Sequence, residues 1–229
     1  KQTVGIGAKY ELTDEIYHYI KFDYAIENYN SITSSASDSI KNKGGDNVEF
    51  TISNRLSLSQ LDTRFRPSEG YLLDWYNRLT IDNYFLNKIS YDRYYNFNKK
   101  VFSYRTEIAN VTSLSSNDVP DGDKFSLGGR KLRGFDIYGV GPRNSSSGYI
   151  GGNNLLLAQL DYLIPISESK DNLIDFVTFI DAGKLYSNKT IYNPIMNLEE
   201  GEFKREFVPD NPESWKERAD ITRPWISTG

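Results

Sequence analysis

Val48-Glu49-Phe50-Thr51-Ile52-Ser53-Asn54-Arg55-Leu56-Ser57-Leu58 alternates apolar and polar side chains with one fault. Val48, Phe50, Ile52, Leu56 and Leu58 face one way, blemished only by Asn54, and Glu49, Thr51, Ser53, Arg55 and Ser57 face the other. Side chains of a strand project to opposite faces in turn, so a period of two over eleven residues reads as a β-strand with one apolar face. The same period runs outward in both directions. Upstream, Val4, Ile6, Ala8, Tyr10 and Leu12 alternate against Gly5, Gly7, Lys9 and Glu11. After a break at Thr13-Asp14, the length of a tight hairpin turn, Ile16, His18, Ile20, Phe22, Tyr24 and Ile26 form another apolar row. Downstream, strands are expected at 70–82, 88–97, 100–112, 154–163 and 173–186, with a last one starting near Ile221.

The fold class that follows is all-β and antiparallel. Expected connections are short at 13–14, 98–99 and 164–172 and long at 28–47, 113–153 and 187–219. Short turns on one rim and long loops on the other mark an outer-membrane barrel. The strands are also longer than the ~5–6 residues usual in globular sheets and suit a tilted membrane crossing. Tyr71, Trp75, Tyr94, Tyr95 and Tyr186 fall toward strand ends, as an interfacial girdle requires. Only 38% of the 229 residues are hydrophobic and 14% are aromatic, with 17 Tyr; mean hydropathy is -0.58. Low hydropathy is compatible with a barrel, in which half of each strand faces lipid, and also with a soluble β-sandwich. No stretch reaches the ~18 apolar residues of a helical span. Without Cys there is neither a disulfide framework nor a thiolate metal site. With 27 basic and 31 acidic residues interspersed, net charge -4 gives a nucleic-acid partner no support. About nine strands, the last incomplete, is an odd number for a bacterial barrel. The chain is therefore expected to be a fragment of one.

Within the 113–153 connection stands Phe125-Ser126-Leu127-Gly128-Gly129-Arg130-Lys131-Leu132-Arg133-Gly134-Phe135, followed by Gly139-Val140-Gly141-Pro142-Arg143. A Gly-Gly pair, a short spacer, an apolar-Arg-Gly-aromatic quartet and then Gly-Pro-Arg, in that order, resemble the BamA family of the bacterial surface antigen superfamily. Three further segments are similar to that family: Asp62 through Pro67-Ser68-Glu69-Gly70, Gly151-Gly152 leading into Ala158-Gln159-Leu160-Asp161-Tyr162, and Phe179-Ile180-Asp181-Ala182-Gly183. Together they cover about residues 48–229. The resemblance implies a sixteen-stranded transmembrane barrel preceded by periplasmic POTRA domains, with this chain supplying middle and later strands. It would lack the POTRA region, the first strands and the closing strands. The implied function is that of the central component of the barrel-assembly machinery, folding and inserting β-barrel proteins at the bacterial outer membrane. Implied partners are unfolded barrel clients, lipoproteins engaged through the POTRA domains, membrane lipid and lipopolysaccharide. Alternatives are a TamA-like or two-partner secretion transporter, a passive porin, or a soluble sandwich binding module.

The resemblance also places the loop inside the barrel, with its Arg against acidic and aromatic residues of the next two strands. Strand parity agrees. Gln159 and Asp161 share one face of 154–163, and Asp175, Val177, Phe179 and Asp181 share one face of 173–186. A charge on the lipid face is costly, so these acids are expected in the lumen, within reach of Arg133. Leu132, Arg133, Gly134 and Phe135 are the expected functional motif; Asp161, Phe179 and Asp181 are its partners, and Gly128, Gly129 and Gly141 are the turning points of the loop. The competing reading is that this pairing is only an internal brace with no part in insertion. An enzyme is not expected: there is no Ser-His-Asp or Cys-His set, and no acidic pair is placed at a shared cleft. No metal or cofactor is expected either. His18 stands alone, and Asp118, Asp121 and Asp123 lack the spacing of a calcium loop, which suggests a solvated turn. Gly139 and Gly141 do not open a helix after a strand, so they make no dinucleotide site.

Overall fold

The computed structural model describes residues 2–29, 45–144, 148–168, 173–187 and 225–228. Its strands are β1 (Gln2–Glu11), β2 (Ile16–Tyr29), β3 (Gly45–Leu61), β4 (Gly70–Thr80), β5 (Tyr84–Phe97), β6 (Lys100–Ser113), β7 (Arg143–Asn144), β8 (Gly148–Tyr149), β9 (Asn154–Glu168), β10 (Leu173–Tyr186) and β11 (Trp225–Thr228). Nine of them form one sheet in the order β1-β2-β3-β4-β5-β6-β9-β10-β11, and β7 and β8 pair separately within the long connection. Every neighbour in the sheet is antiparallel. Each strand therefore lies beside the one before it, apart from the excursion between β6 and β9. This is the meander of an up-and-down barrel wall.

The registers carry the apolar rows into one continuous face. Ile6 pairs with Phe22, Phe22 with Ile52, Leu56 with Trp75, Trp75 with Ile89, Ile89 with Ile108 and Ile108 with Leu156. That face is open to its surroundings: Ile6 is 75% exposed, Ile108 61% and Ile180 47%. The opposite face carries the polar residues and is the more covered one from β2 to β10, while β1 is exposed on both faces. A soluble sandwich does the reverse, burying its apolar side. Bare apolar surface on this scale suits lipid and not water.

Some boundaries depart from the sequence reading. The strand expected to begin at 88 starts at Tyr84, because the chain turns at 81–83 with Asp82 at φ 56°. A short turn thus falls on the rim of the long loops, so the alternation of loop lengths is not strict. β9 continues through Pro165 to Glu168, where the sequence reading ended the strand at 163. Proline offers no N–H to the ladder, and the register shifts beside it, between Ile174 and Asp175. The expected 98–99 hairpin turn has Asn98 and Lys99 both at positive φ, the two-residue turn that matches strand twist. Most of the 28–47 connection, 188–224 and the strand start near Ile221 lie outside the described residues.

The aromatic girdle is narrower than expected. Tyr71, Tyr91, Tyr95 and Tyr104 form a ladder of ring contacts 5.8–6.5 Å apart near the 62–69 and 98–99 rim, and the Arg93 guanidinium lies over Tyr71 and Tyr95. Trp75, however, sits mid-strand, and Tyr94 belongs to the polar face with Asp92.

Candidate functional site

The described residues of the 114–153 connection fold back over the polar face of β5, β6, β9 and β10. Two clusters seat it. Leu127, Leu132 and Val140 of the loop are buried among Ala109, Leu155, Leu157 and Leu185. Val119 is buried against Tyr84, Leu86 and Val111. These wall residues have the parity of the inner face, so the loop supplies the apolar cover that water would not. Burying a Leu such as Leu132, which has no exposed surface, contributes about 1.5–3 kcal/mol.

The loop is shaped by glycines at positive φ: Gly128, Gly129, Gly134 and Gly141. At Gly128 the need is clear, since φ is +130° and a Cβ would collide with the Asp136 carbonyl. At Gly141 a Cβ would come 2.6 Å from the Leu185 side chain, so only glycine lets the loop lie this close to β10. The Gly129 N–H donates to the Phe135 carbonyl at 2.9 Å, closing a tight turn with Arg133 at its tip. Phe135 packs against the rim of the first cluster. Burial pushes the Tyr149 phenol up to about 12, so it stays protonated and donates to the Phe125 carbonyl at 3.0 Å.

Arg133 is the centre of the polar contacts. Its Nε donates to Asp181 Oδ2 at 2.7 Å, its Nη2 donates to Asp181 Oδ1, and its backbone N–H reaches Oδ2 at 2.9 Å. Nη1 stands 2.7 Å from Asp161 Oδ1, an ion pair without the alignment of a hydrogen bond. The guanidinium carbon lies 3.9 Å from the centre of the Phe179 ring. The structure thus brings Arg133, Asp161, Phe179 and Asp181 together. The two acids differ: Asp181 has no exposed side-chain surface, whereas Asp161 keeps 34%. A planar fork can hold one carboxylate bidentately while its face stacks on a ring, which an ammonium cannot do.

Other anchors were not foreseen from the sequence. Lys131 Nζ donates to Glu107 Oε1 at 3.0 Å, and Gln159 Nε2 donates to the Arg130 and Lys131 carbonyls at 3.0 and 3.3 Å. Parity already put Gln159 on the inner face, but a side chain bonding to loop backbone leaves no trace in a pattern. The aspartates of 118–123 are more than a solvated turn. Lys124 pairs with Asp118 and Asp121, while Asp123 accepts from Arg78 at 3.1 Å and Tyr84 at 2.9 Å. From the opposite rim the 62–69 turn also folds over the inner face, where Arg66 pairs with Asp175 of β10 and Ser68 accepts from Asn96 at 3.2 Å.

An antiparallel wall with a bare apolar outside, and an inside plugged by a loop held on buried charge, defines a transmembrane β-barrel of the kind that carries an inserted loop. The Omp85 superfamily domain matches residues 2–200, and the chain belongs to that superfamily. The match begins well upstream of the 48–229 span that the motifs alone suggest. Among curated proteins, the outer membrane protein assembly factor BamA of Nitratidesulfovibrio vulgaris is 24% identical over 204 residues, covering 84% of this chain and 26% of that protein. BamA of Neorickettsia risticii is 24% identical over 191 residues, covering 78% and 25%. The chain therefore spans about a quarter of the length of these relatives. The crystal structure of Haemophilus ducreyi BamA lacking POTRA domains 1–3 superposes with a TM-score of 0.67 at 21% identity, over 89% of this chain and 46% of that one.

Proposed function

We propose that this chain forms part of the barrel wall of an outer-membrane assembly factor, which folds and inserts β-barrel clients, and that the Arg133 loop keeps that wall in its working shape. The reading places the apolar face in the lipid of a Gram-negative outer membrane and makes the barrel multi-pass. Lipoprotein partners, lipopolysaccharide and unfolded barrel clients are the expected company of the whole protein. Its action is non-covalent, with no enzymatic step. One observation carries the reading: Arg133, at the tip of the inserted loop, has its fork closed on the fully buried Asp181. Removing either partner strands a charge at the seam between loop and wall, and both curated relatives are assembly factors.

The test is complementation. Cells depleted of their own copy receive the full-length gene with Arg133→Ala or Arg133→Lys, and the heat-modifiable fraction of abundant outer-membrane barrels is measured. Arg133→Ala is expected to lower folded client several-fold while the variant itself still reaches the membrane, with Arg133→Lys recovering part of the loss. Normal client levels with Arg133→Ala would leave the loop as a brace with no part in assembly.

A further inference from the structure

The outer face of the sheet is largely apolar: Arg93 lies among tyrosines near one rim, Thr106, Thr178 and Lys184 interrupt it singly, and one continuous polar line crosses it. Asn54 pairs in register with Asn77, Asn77 with Asn87, Asn87 with Asn110 and Asn110 with Asn154, placing one asparagine on each of β3, β4, β5, β6 and β9. All five have the parity of Ile52, Trp75, Ile89, Ile108 and Leu156. Their side chains are linked: Asn54 Nδ2 donates to Asn77 Oδ1 at 2.9 Å, Asn77 Nδ2 to Asn87 Oδ1 at 3.4 Å, and Asn110 Nδ2 to Asn154 Oδ1 at 2.7 Å. Trp75 Nε1 joins at Asn87 Oδ1, 2.9 Å away, and Thr112 at Asn110 Oδ1, 2.8 Å away. At the other end His18 Nε2 donates to Asn54 Oδ1, and His18 Nδ1 accepts from the Tyr10 hydroxyl, bringing the only histidine into the same chain of bonds.

This line does not satisfy itself. An amide nitrogen carries two hydrogens. Asn54, Asn77 and Asn110 each use one in the ladder and Asn87 uses none, so donors remain on all four. Asn87 and Asn110 face each other in register without a direct bond, which leaves a gap in the chain of the kind a bridging water closes. The surplus donors sit on a largely apolar surface, where an unmet N–H is costly. The line also runs between the two rims. With strands about 4.8 Å apart and tilted ~35–45°, each step climbs roughly 3 Å, so Asn154 stands roughly 12 Å above Asn54. Asn154 opens β9 at the long-loop rim, while Tyr10 and His18 lie beside the 12–15 turn.

We propose that the Tyr10-His18-Asn54-Asn77-Asn87-Asn110-Asn154 line is a hydrated track that carries water diagonally across the outer wall between the two aqueous rims. The ligand is water itself: the groups are neutral and their surplus is in donors, so no charged headgroup is called for. The inference rests on the reading that the apolar face meets lipid. Such a track would offer hydrogen-bonding partners to polar backbone on the outside of the wall, at a depth where lipid offers none.

The chain has no Cys, and single-cysteine labelling needs only that any cysteine elsewhere in the full-length protein be replaced first. Asn54→Cys and Asn87→Cys are introduced into the full-length protein in outer-membrane vesicles. Ile52→Cys and Leu56→Cys bracket Asn54 on the same strand and face, one toward each rim. Each variant is first checked for heat-modifiable mobility, and a water-soluble maleimide then reports reaction rate. Spin labels at the same sites, probed with a polar nickel chelate against oxygen, supply a second readout. The asparagine positions are expected to react at least tenfold faster than both brackets and to favour the nickel chelate. Asparagine positions as slow as Ile52 and Leu56 would overturn the track and leave the lipid reading standing. Fast reaction at all four sites would overturn both.

Discussion

Asp181 has no exposed side-chain surface, and both its oxygens accept from Arg133. Asp161, one-third exposed, makes a single ion pair to the same guanidinium. The two carboxylates were equivalent in the sequence, since both have inner-face parity beside one arginine. Burial separates them. Losing a partner of a buried pair costs about 3–5 kcal/mol, whereas an exposed pair is worth about 0–1 kcal/mol. Asp181→Asn is therefore expected to lower the temperature at which the folded band is lost in unboiled gels, and Asp161→Asn to leave it nearly unchanged. Equal shifts for the two would mean that water reaches Asp181. The Arg133 contacts were legible because parity restricts a strand residue to one of two faces. The Arg66 contact to Asp175 was not, because a turn residue has no parity and its partner lies four strands away.

At the scale of elements, the turn after β3 is organised by Asp62. Its carboxylate accepts from the Ser68 N–H at 3.0 Å, the Ser68 hydroxyl at 2.7 Å and the Glu69 N–H at 3.2 Å. Desolvation pushes this carboxyl up, but the hydrogen bonds from Ser68, Glu69 and Thr63 outweigh it and hold the group below its ordinary value. A carboxyl depressed in the folded state stabilises above its unfolded pKa, about 3.9, and that stabilisation is lost as pH falls through the lower folded value. The Ser68 and Glu69 amides should thus keep their hydrogen-exchange protection at pH 5 and lose it progressively below about pH 4. Asp62→Asn should show weak protection throughout, and a pH-independent wild type would refute the role. The Asp-to-Gly spacing of this turn was visible in the sequence. That the turn folds inward to β10 was not, because its direction is set by Gly70 at φ +102° and by contacts with distant strands.

For the whole molecule the decisive asymmetry lies between the two faces of the sheet. Ile108 stands on the bare face at 61% exposure, while Ser90 lies on the covered face between Asp74 and Glu107 in register. A Lys at Ile108 should cost about 2–4 kcal/mol if that position lies near the bilayer midplane. It should also reduce the amount of protein retained in urea-washed outer membranes. Ser90→Lys, with acids on either side, should be tolerated. Equal tolerance at both positions would mean that the bare face is covered by something other than lipid.

The sequence by itself determined the strands, because side-chain alternation is a local property that any strand displays along its length. It determined the two faces of each strand for the same reason, and the Arg133 motif pointed to the superfamily. Only the tertiary structure decided which face is covered and which is bare, since alternation is identical in a sandwich and a barrel. It alone aligned Asn54 with Asn77, Asn87, Asn110 and Asn154. In one strand Asn54 is a flaw in an apolar row, and only inter-strand register, a non-local quantity, turns five such flaws into a line.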